Sequence, residues 1–345
     1  MLNKVVTFGE IMLRLCTPGF ERFQQARKFD ATYGGGEANV AASLADFGMD
    51  VEFVTRLPNN DIGEACQAFL RQKNIGTQHI VFGGERIGIY FLEAGAAQRP
   101  SKVLYDRAGS SFATLQKGSV NWEEAFAGAN WFHWTGITPA VSQSAAEVCK
   151  EGIEAAHKLG MTISCDLNYR AKLWKWTDAP GKVMEDLVSQ SDIAIGNEED
   201  AEKVFGIKAH ESNITRGKLD PQNYLRVCEQ LATKMGNLKT IAFTLRGSLS
   251  ASHNTWSGVL WQDRKFIMGT QYDVFPIVDR VGSGDAFAAG LIYGLLNFTN
   301  DQERALQFAI AASCLKHTIQ GDFNSIHVAE VEQLMKGDQS GRISR

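Results

Sequence analysis

The feature that most limits how this chain can fold is its alternation of short, continuously apolar runs with longer segments of helical periodicity. Val5-Val6-Thr7-Phe8 reads as a strand, and residues 38–47 then place Val40, Leu44 and Phe47 at helical spacing with Gly48 as the stop. Val51-Glu52-Phe53-Val54 returns as a strand and residues 62–72 as a helix. Residues 131–135, 161–165, 193–195 and 240–244 read as further short strands, with amphipathic helices at 145–158 and 225–234 between some of them. The end reads as helical, over 285–296 and 303–316. Apolar runs without polar alternation are what strands covered on both faces require. The pattern therefore predicts βαβ units and an α/β fold around a central, mostly parallel sheet.

Two segments break the rhythm. Residues 87–92 and 102–107 flank a turn containing Gly, Ala and Pro with no helix between them, which is hairpin spacing and predicts a small antiparallel flap. Residues 213–222 are polar and punctuated by Gly and Pro, so they read as a loop. No repeat or long linker divides the 345 residues, a length that can bury one large core.

Composition excludes several classes of function. A net charge of −4 gives no general attraction to nucleic acid or to a membrane surface. No run approaches the roughly 18 apolar residues of a membrane span. The first 13 residues carry Glu10 inside their apolar run and read as a strand, not as a signal peptide, so the expected address is the cytoplasm. Six scattered cysteines with no C-x-x-C pair, and seven histidines with no H-E-x-x-H, argue against a zinc enzyme. There is no G-x-S-x-G elbow for a serine hydrolase and no G-x-G-x-x-G after the first strand for a nicotinamide-dependent oxidoreductase.

Chemistry concentrates in two glycine segments. In Asp279-Arg280-Val281-Gly282-Ser283-Gly284-Asp285, small residues precede an aspartate that opens a long apolar helix. Successive N–H groups of Gly282, Ser283 and Gly284 at a helix N-terminus suit an anion, and Asp285 beside them suits a general base. Read alone, the segment is equally a glycine-containing entry into a helix. In Gly34-Gly35-Gly36-Glu37-Ala38-Asn39, three glycines run into a helix carrying Asn39, which offers both a donor and an acceptor to a polyhydroxylated ligand. Alone, this too is compatible with a flexible loop before a helix, and no G-K-[ST] follows to make it a Walker A loop.

Together and in this order, the two segments resemble the two signatures of PfkB (ribokinase-like) carbohydrate kinases, and the likeness covers nearly the whole chain. The resemblance implies one ribokinase-like domain over residues 1–345, a three-layer α/β sandwich with a small β lid around 87–107 and including 12–33. It implies MgATP as phosphoryl donor, with a monovalent cation as an activator in some relatives, and a homo-oligomer formed through the lid. Asn197 and Asp200 resemble the N-x-x-E segment that holds Mg²⁺ through water, and Thr244, Arg246 and Gly247 the strand and turn beside the nucleotide. Within the family the chain is most similar to 2-keto-3-deoxygluconate kinases, on Gly136-Ile137-Thr138-Pro139, Asp166-Leu167-Asn168-Tyr169-Arg170 and Gly321-Asp322. That similarity implies that Gly35, Asn39, Tyr90, Tyr105, Arg107, Ile137, Arg170 and Asp322 line a sugar-acid site. Arginine forks suit a substrate carboxylate, and lid tyrosines offer apolar cover with a hydroxyl. Arg280 stands where the family has threonine, Asp200 where it has glutamate, and Ser250 near a second family glycine. A kinase of a neutral sugar and a non-catalytic sensor on the same scaffold remain as alternatives.

Overall fold

The apolar runs become strands of one sheet, and successive side chains of each run leave it on opposite faces. Val6, Phe8, Phe132, Trp134, Ile241 and Phe243 enter one apolar cluster, while Val5, Trp131 and Ala242 enter another across the sheet. Period-two alternation with both faces buried is why these strands have no solvent-facing side.

The computed structural model describes residues 3–208 and 221–337. β1 (Lys4–Phe8) is followed by β2 (Met12–Cys16), β3 (Asp30–Gly34), α1 (Gly36–Asp46), β4 (Asp50–Val54), β5 (Arg56–Leu57), α2 (Asp61–Gln72) and β6 (Val81–Phe82). Next come β7 (Gly88–Glu93), β8 (Lys102–Asp106), α3 (Trp122–Ala125), β9 (Trp131–Thr135), α4 (Ile137–Val141) and α5 (Gln143–Lys158). Then β10 (Thr162–Asp166), α6 (Pro180–Val188), β11 (Ile193–Gly196), α7 (Glu198–Phe205) and α8 (Pro221–Met235) lead to β12 (Thr240–Ser250), β13 (His253–Gln262), β14 (Lys265–Met268) and β15 (Tyr272–Val274). Finally there are α9 (Ser283–Asn297), α10 (Gln302–Lys316) and α11 (Val328–Met335).

The main sheet has the order β14-β13-β12-β11-β10-β9-β1-β4, with β15 paired to β13. From β4 through β12 every pairing is parallel, and β13 turns back antiparallel against β12. This antiparallel end extends the strand expected at 240–244 to Ser250, because a hairpin partner lies beside it. The chain leaves β1 toward β4 on one side and later returns to β9 on the other. Connections that diverge from neighbouring strands open a crevice at their carboxyl ends.

The expected helices are present within a few residues, and α1 ends before Gly48, whose φ is +82°. Of the loop expected at 213–222, residues 213–220 lie outside the described residues, while Pro221 and Gln222 open α8. The hairpin expected from the spacing is only part of the lid. Residues 87–107 do form an antiparallel hairpin, but β2 joins β7 in parallel and β3 joins β2, giving a mixed sheet of order β3-β2-β7-β8. An isolated hairpin is marginal in water, and β2 adds Met12 and Cys16 to Tyr90 and Leu92 of this one to make an inner apolar face.

Helix α9, whose first turn carries Asp285, is fixed from behind by α10 at van der Waals distance. A Cβ on Gly290 would lie 2.7 Å from the Ala309 Cα, and one on Gly294 would lie 2.6 Å from the Ala305 Cα. Among the described residues no helix is long and apolar enough to cross a membrane. Replacing Gly290 by valine is expected to overpack this contact and cost about 1–3 kcal/mol. A urea midpoint unchanged from the parent protein would show that the two helices need no such closeness.

Candidate active site

The carboxyl ends of β1, β9, β10, β11 and β12 open into one cleft of about 310 Å³, roofed by the lid. Every site residue expected from the sequence lines it except Gly247. A Cβ on Gly247 would lie 2.3 Å from the Thr255 hydroxyl on the paired strand, so closeness within the ladder accounts for glycine there.

At one wall, α9 starts at Ser283. Gly282 before it has φ +83°, and a Cβ there would lie 2.2 Å from the Asp322 carbonyl, so the position admits only glycine. A Cβ on Gly284 would meet nothing within 4 Å, which leaves that stretch of backbone open to an approaching anion. Ser283 is partly engaged: its hydroxyl donates to the Arg280 carbonyl at 3.0 Å, and its N–H makes a longer 3.4 Å bond to the same oxygen.

Asp285 is 9% exposed and accepts a 2.6 Å bond from the Asn39 amide, whose oxygen in turn accepts the Gly35 N–H at 3.2 Å. Asn39 therefore ties the first glycine segment to the carboxylate of the second. Burial pushes the Asp285 carboxyl up to about 6; the Asn39 bond pulls it down, and Asp322 pushes it up. A base whose proton comes off just below neutrality is suited to taking a hydroxyl proton.

Opposite stand two further carboxylates. Asp166, at the end of β10, is held well above the usual range by burial and by the charges of Asp200 and Asp285. Burial also raises Asp200. Asp200 and Asn197 form the reciprocal cap of α7: Asp200 accepts the Asn197 N–H at 3.1 Å, and Asn197 accepts the Asp200 N–H at 2.9 Å. The second Asp200 oxygen accepts the Tyr169 N–H at 3.0 Å. Buried carboxyls that repel one another fit a hydrated divalent cation, since the cation relieves that repulsion. Thr244 donates to the Gly196 carbonyl at 3.3 Å, and the Arg246 guanidinium lies 5.3 Å over the Trp256 ring.

The arginines divide. Arg170 is exposed at the cleft and donates to the Tyr169 carbonyl at 3.1 Å. Arg107 is buried, and its Nε and Nη2 both donate to Glu10, whose other oxygen accepts the Ser110 hydroxyl. The fork expected for a substrate carboxylate is thus turned onto a protein carboxylate. Asp322 is likewise engaged, by the Tyr90 hydroxyl at 2.6 Å and by Arg14 at 2.5 Å, while the other Arg14 nitrogen reaches Asp279 at 2.5 Å. Tyr105 stands half exposed at the rim, its ring 6.0 Å from that of Tyr90. Glu10, Asp166 and Arg14 carry weight here that the sequence reading did not give them. The usable signal was a charge inside an apolar strand-like stretch, as in Met12-Leu13-Arg14-Leu15-Cys16.

A family model described as "pfkB family carbohydrate kinase" matches residues 2–328. The chain belongs to that family. As a pfkB kinase it is a phosphotransferase that acts on an alcohol group, and its fold is ribokinase-like. It is similar to the crystal structure of 2-dehydro-3-deoxygluconokinase from Thermotoga maritima, at 46% identity with a TM-score of 0.91, over 97% of this chain and 100% of that one. It is also similar to the 2-dehydro-3-deoxygalactonokinase of Haloferax volcanii, 29% identical over 99% of both chains. The 2-dehydro-3-deoxygluconokinase of Bacillus subtilis is 25% identical over 94% of this chain and 93% of its own.

For this pfkB kinase, kcat is expected to rise as pH passes about 6, where Asp285 loses its proton, and to level off above it. Asn39→Ala removes a bond that favours the ionised form, so the inflection is expected to move to higher pH; an inflection that stays in place would take Asn39 out of the base's environment. Asp285→Ala is expected to lower kcat by roughly 10²–10⁴ with the fold retained, and near-normal turnover would remove Asp285 from the role.

Proposed function

We propose that this kinase transfers the γ-phosphoryl group of MgATP to the primary hydroxyl of 2-keto-3-deoxygluconate, giving 2-keto-3-deoxy-6-phosphogluconate. The observation that carries the reading is Asp285, proton-poised and held by Asn39 beside the open N-terminus of α9. The likeness to sugar-acid kinases over nearly the whole chain supports the substrate class.

In this reading the sugar acid lies under the lid between Gly35, Ile137, Tyr105 and Arg170. Arg170 meets its carboxylate, and Arg107, whose Nε and Nη2 are held by Glu10, lines the same cleft. Asp322, fixed by Arg14 and Tyr90, presents a rigid acceptor to the sugar hydroxyls. Asp285 accepts the proton of the primary hydroxyl. The N–H groups of Gly282 and Gly284 and the dipole of α9 stabilise charge on the transferring group. The nucleotide occupies the side of the cleft bounded by Asn197, Thr244 and Arg246, with Gly247 beyond it. Mg²⁺, when bound, neutralises phosphate oxygens; Asp166 and Asp200 would hold its waters.

A second reading, the galacto epimer as preferred substrate, is favoured by the name of the Haloferax volcanii relative. Strand β8 is exposed along its whole length, with Leu104 57% exposed, which supports a second copy pairing on the lid.

The deciding experiment is coupled ADP release with MgATP across 2-keto-3-deoxygluconate, its galacto epimer, fructose and ribose, in sodium and then in potassium buffer to test for a monovalent cation. Turnover confined to the keto-deoxy acids is expected, with kcat/KM ordering the epimers. Turnover on fructose or ribose alone would overturn the substrate, and silence on all of them would favour a sensor.

A further inference from the structure

The three residues before the glycine turn are each attached to the lid by a different means. Asp279 is ion-paired to Arg14, which stands on β2 of the lid. Val281 packs against the lid's inner apolar face of Met12, Cys16, Tyr90 and Leu92. Arg280 lines the cleft, where its charge invites a phosphate contact, yet one of its nitrogens donates to the Ser250 carbonyl at 3.1 Å and the Ala251 carbonyl at 2.8 Å. Those carbonyls belong to the β12–β13 turn, and the same turn holds the tip of the lid. The Ala251 N–H donates to the Ala97 carbonyl at 2.7 Å, and the Ala97 N–H donates to the Ser252 hydroxyl at 3.1 Å. At its other end Arg280 uses its own carbonyl to hold Ser283, the first residue of α9.

We infer that Arg280 is a positioning residue that couples closure of the lid tip to the geometry of the Gly282–Gly284 turn, through the β12–β13 hairpin. The chain of bonds is continuous: Ala97 to the turn, the turn to the Arg280 side chain, the Arg280 carbonyl to Ser283. A guanidinium can hold two carbonyls from one planar group, which a threonine hydroxyl, the residue of similar kinases at this position, cannot do. The lid is thereby seated on the same loop that receives the transferring phosphoryl group, so a displaced lid tip leaves that loop without one of its supports. Phosphoryl transfer to water is discouraged when the loop takes its working shape only under a closed lid.

This inference rests on the phosphotransfer reading of the site, and its test has one arm that needs no substrate. In amide hydrogen exchange on the ligand-free protein, Arg280→Gln is expected to speed exchange about tenfold at Ala97 and Ala251, whose N–H groups make the latch. Arg280→Lys, which keeps a charged donor, should restore part of the protection. Unchanged exchange at both amides in Arg280→Gln would overturn the coupling, whatever sugar the enzyme uses. The second arm measures turnover of 2-keto-3-deoxygluconate with MgATP by Arg280→Gln, by Ser252→Ala and by the double variant. Each single change is expected to lower kcat about 3–10-fold with the KM for ATP changed less than twofold, and the double variant to be no slower than the worse single. Normal kcat in Ser252→Ala, or effects that multiply in the double variant, would reduce Arg280 to a brace of its own loop. Absence of turnover in the parent protein would count against the substrate alone, with the exchange arm still deciding the latch.

Discussion

A single buried guanidinium holds the site together. Arg14 is 2% exposed and reaches Asp279 and Asp322, residues 265 and 308 positions away in the chain. Burial alone would depress the guanidinium, but Asp322 and Asp279 outweigh it and keep it above its ordinary value. Lys316 lies buried beside them, its ammonium donating to the Ile319 carbonyl at 3.0 Å. Burial lowers Lys316, against the pull of Asp279 and Asp322. Two cations and two carboxylates thus face one another out of water. Removing one partner of such a set leaves an uncompensated buried charge, at a cost of roughly 3–5 kcal/mol. Because its members belong to the lid, to the loop before α9 and to the segment after α10, the relative placement of all three follows from it.

The residues closest to chemistry are held by neighbours that do no chemistry themselves. Glu37, fully buried in the first turn of α1, accepts the Thr135 N–H and the hydroxyls of Thr135 and Thr138 at 2.7–3.1 Å. Burial pushes its carboxyl up to about 7, with the threonine bonds opposing. The effect is to clamp the start of α1 to the end of β9, and Asn39 lies two residues further along the same first turn. Asp285, the proposed base, therefore inherits its position from the sheet through Glu37, Asn39 and the backbone of Gly35. Glu10 plays a parallel part on the lid side, where it fixes Arg107 and Ser110 together.

Local pattern carried most of the fold. Runs such as Ile193-Ala194-Ile195 have no polar side because both faces of the sheet are covered, and that is visible without coordinates. The two glycine segments were legible because anion-binding turns need backbone that side chains would obstruct. What stayed hidden depends on partners distant in sequence. Arg107 reads in the sequence as a substrate fork, and its bond to Glu10, 97 residues earlier, has no local signature. Asn197 and Asp200 carried the pattern of a metal-binding segment, and the same spacing is that of a helix cap, which they also form. The short α4 escaped notice because its five residues include Pro139 and give no periodicity to read. The parallel contact of β2 with β7 has no local signature, since α1, α2 and the strands between them separate the two.

The span of the Arg14–Asp322 pair also bears on how the protein comes into being. At the usual pace of about 5–20 residues per second, the 308 residues between the partners take a ribosome roughly 15–60 s to add. Through that interval the parallel strands can emerge and pair in order, but Arg14 lacks Asp322 throughout it and gains Asp279 only 265 residues in. Long-range contacts of this kind are slow to form because loop closure must precede them. The nascent chain therefore holds an assembled sheet before it holds a finished cleft, which is complete only once Asp322 has been added.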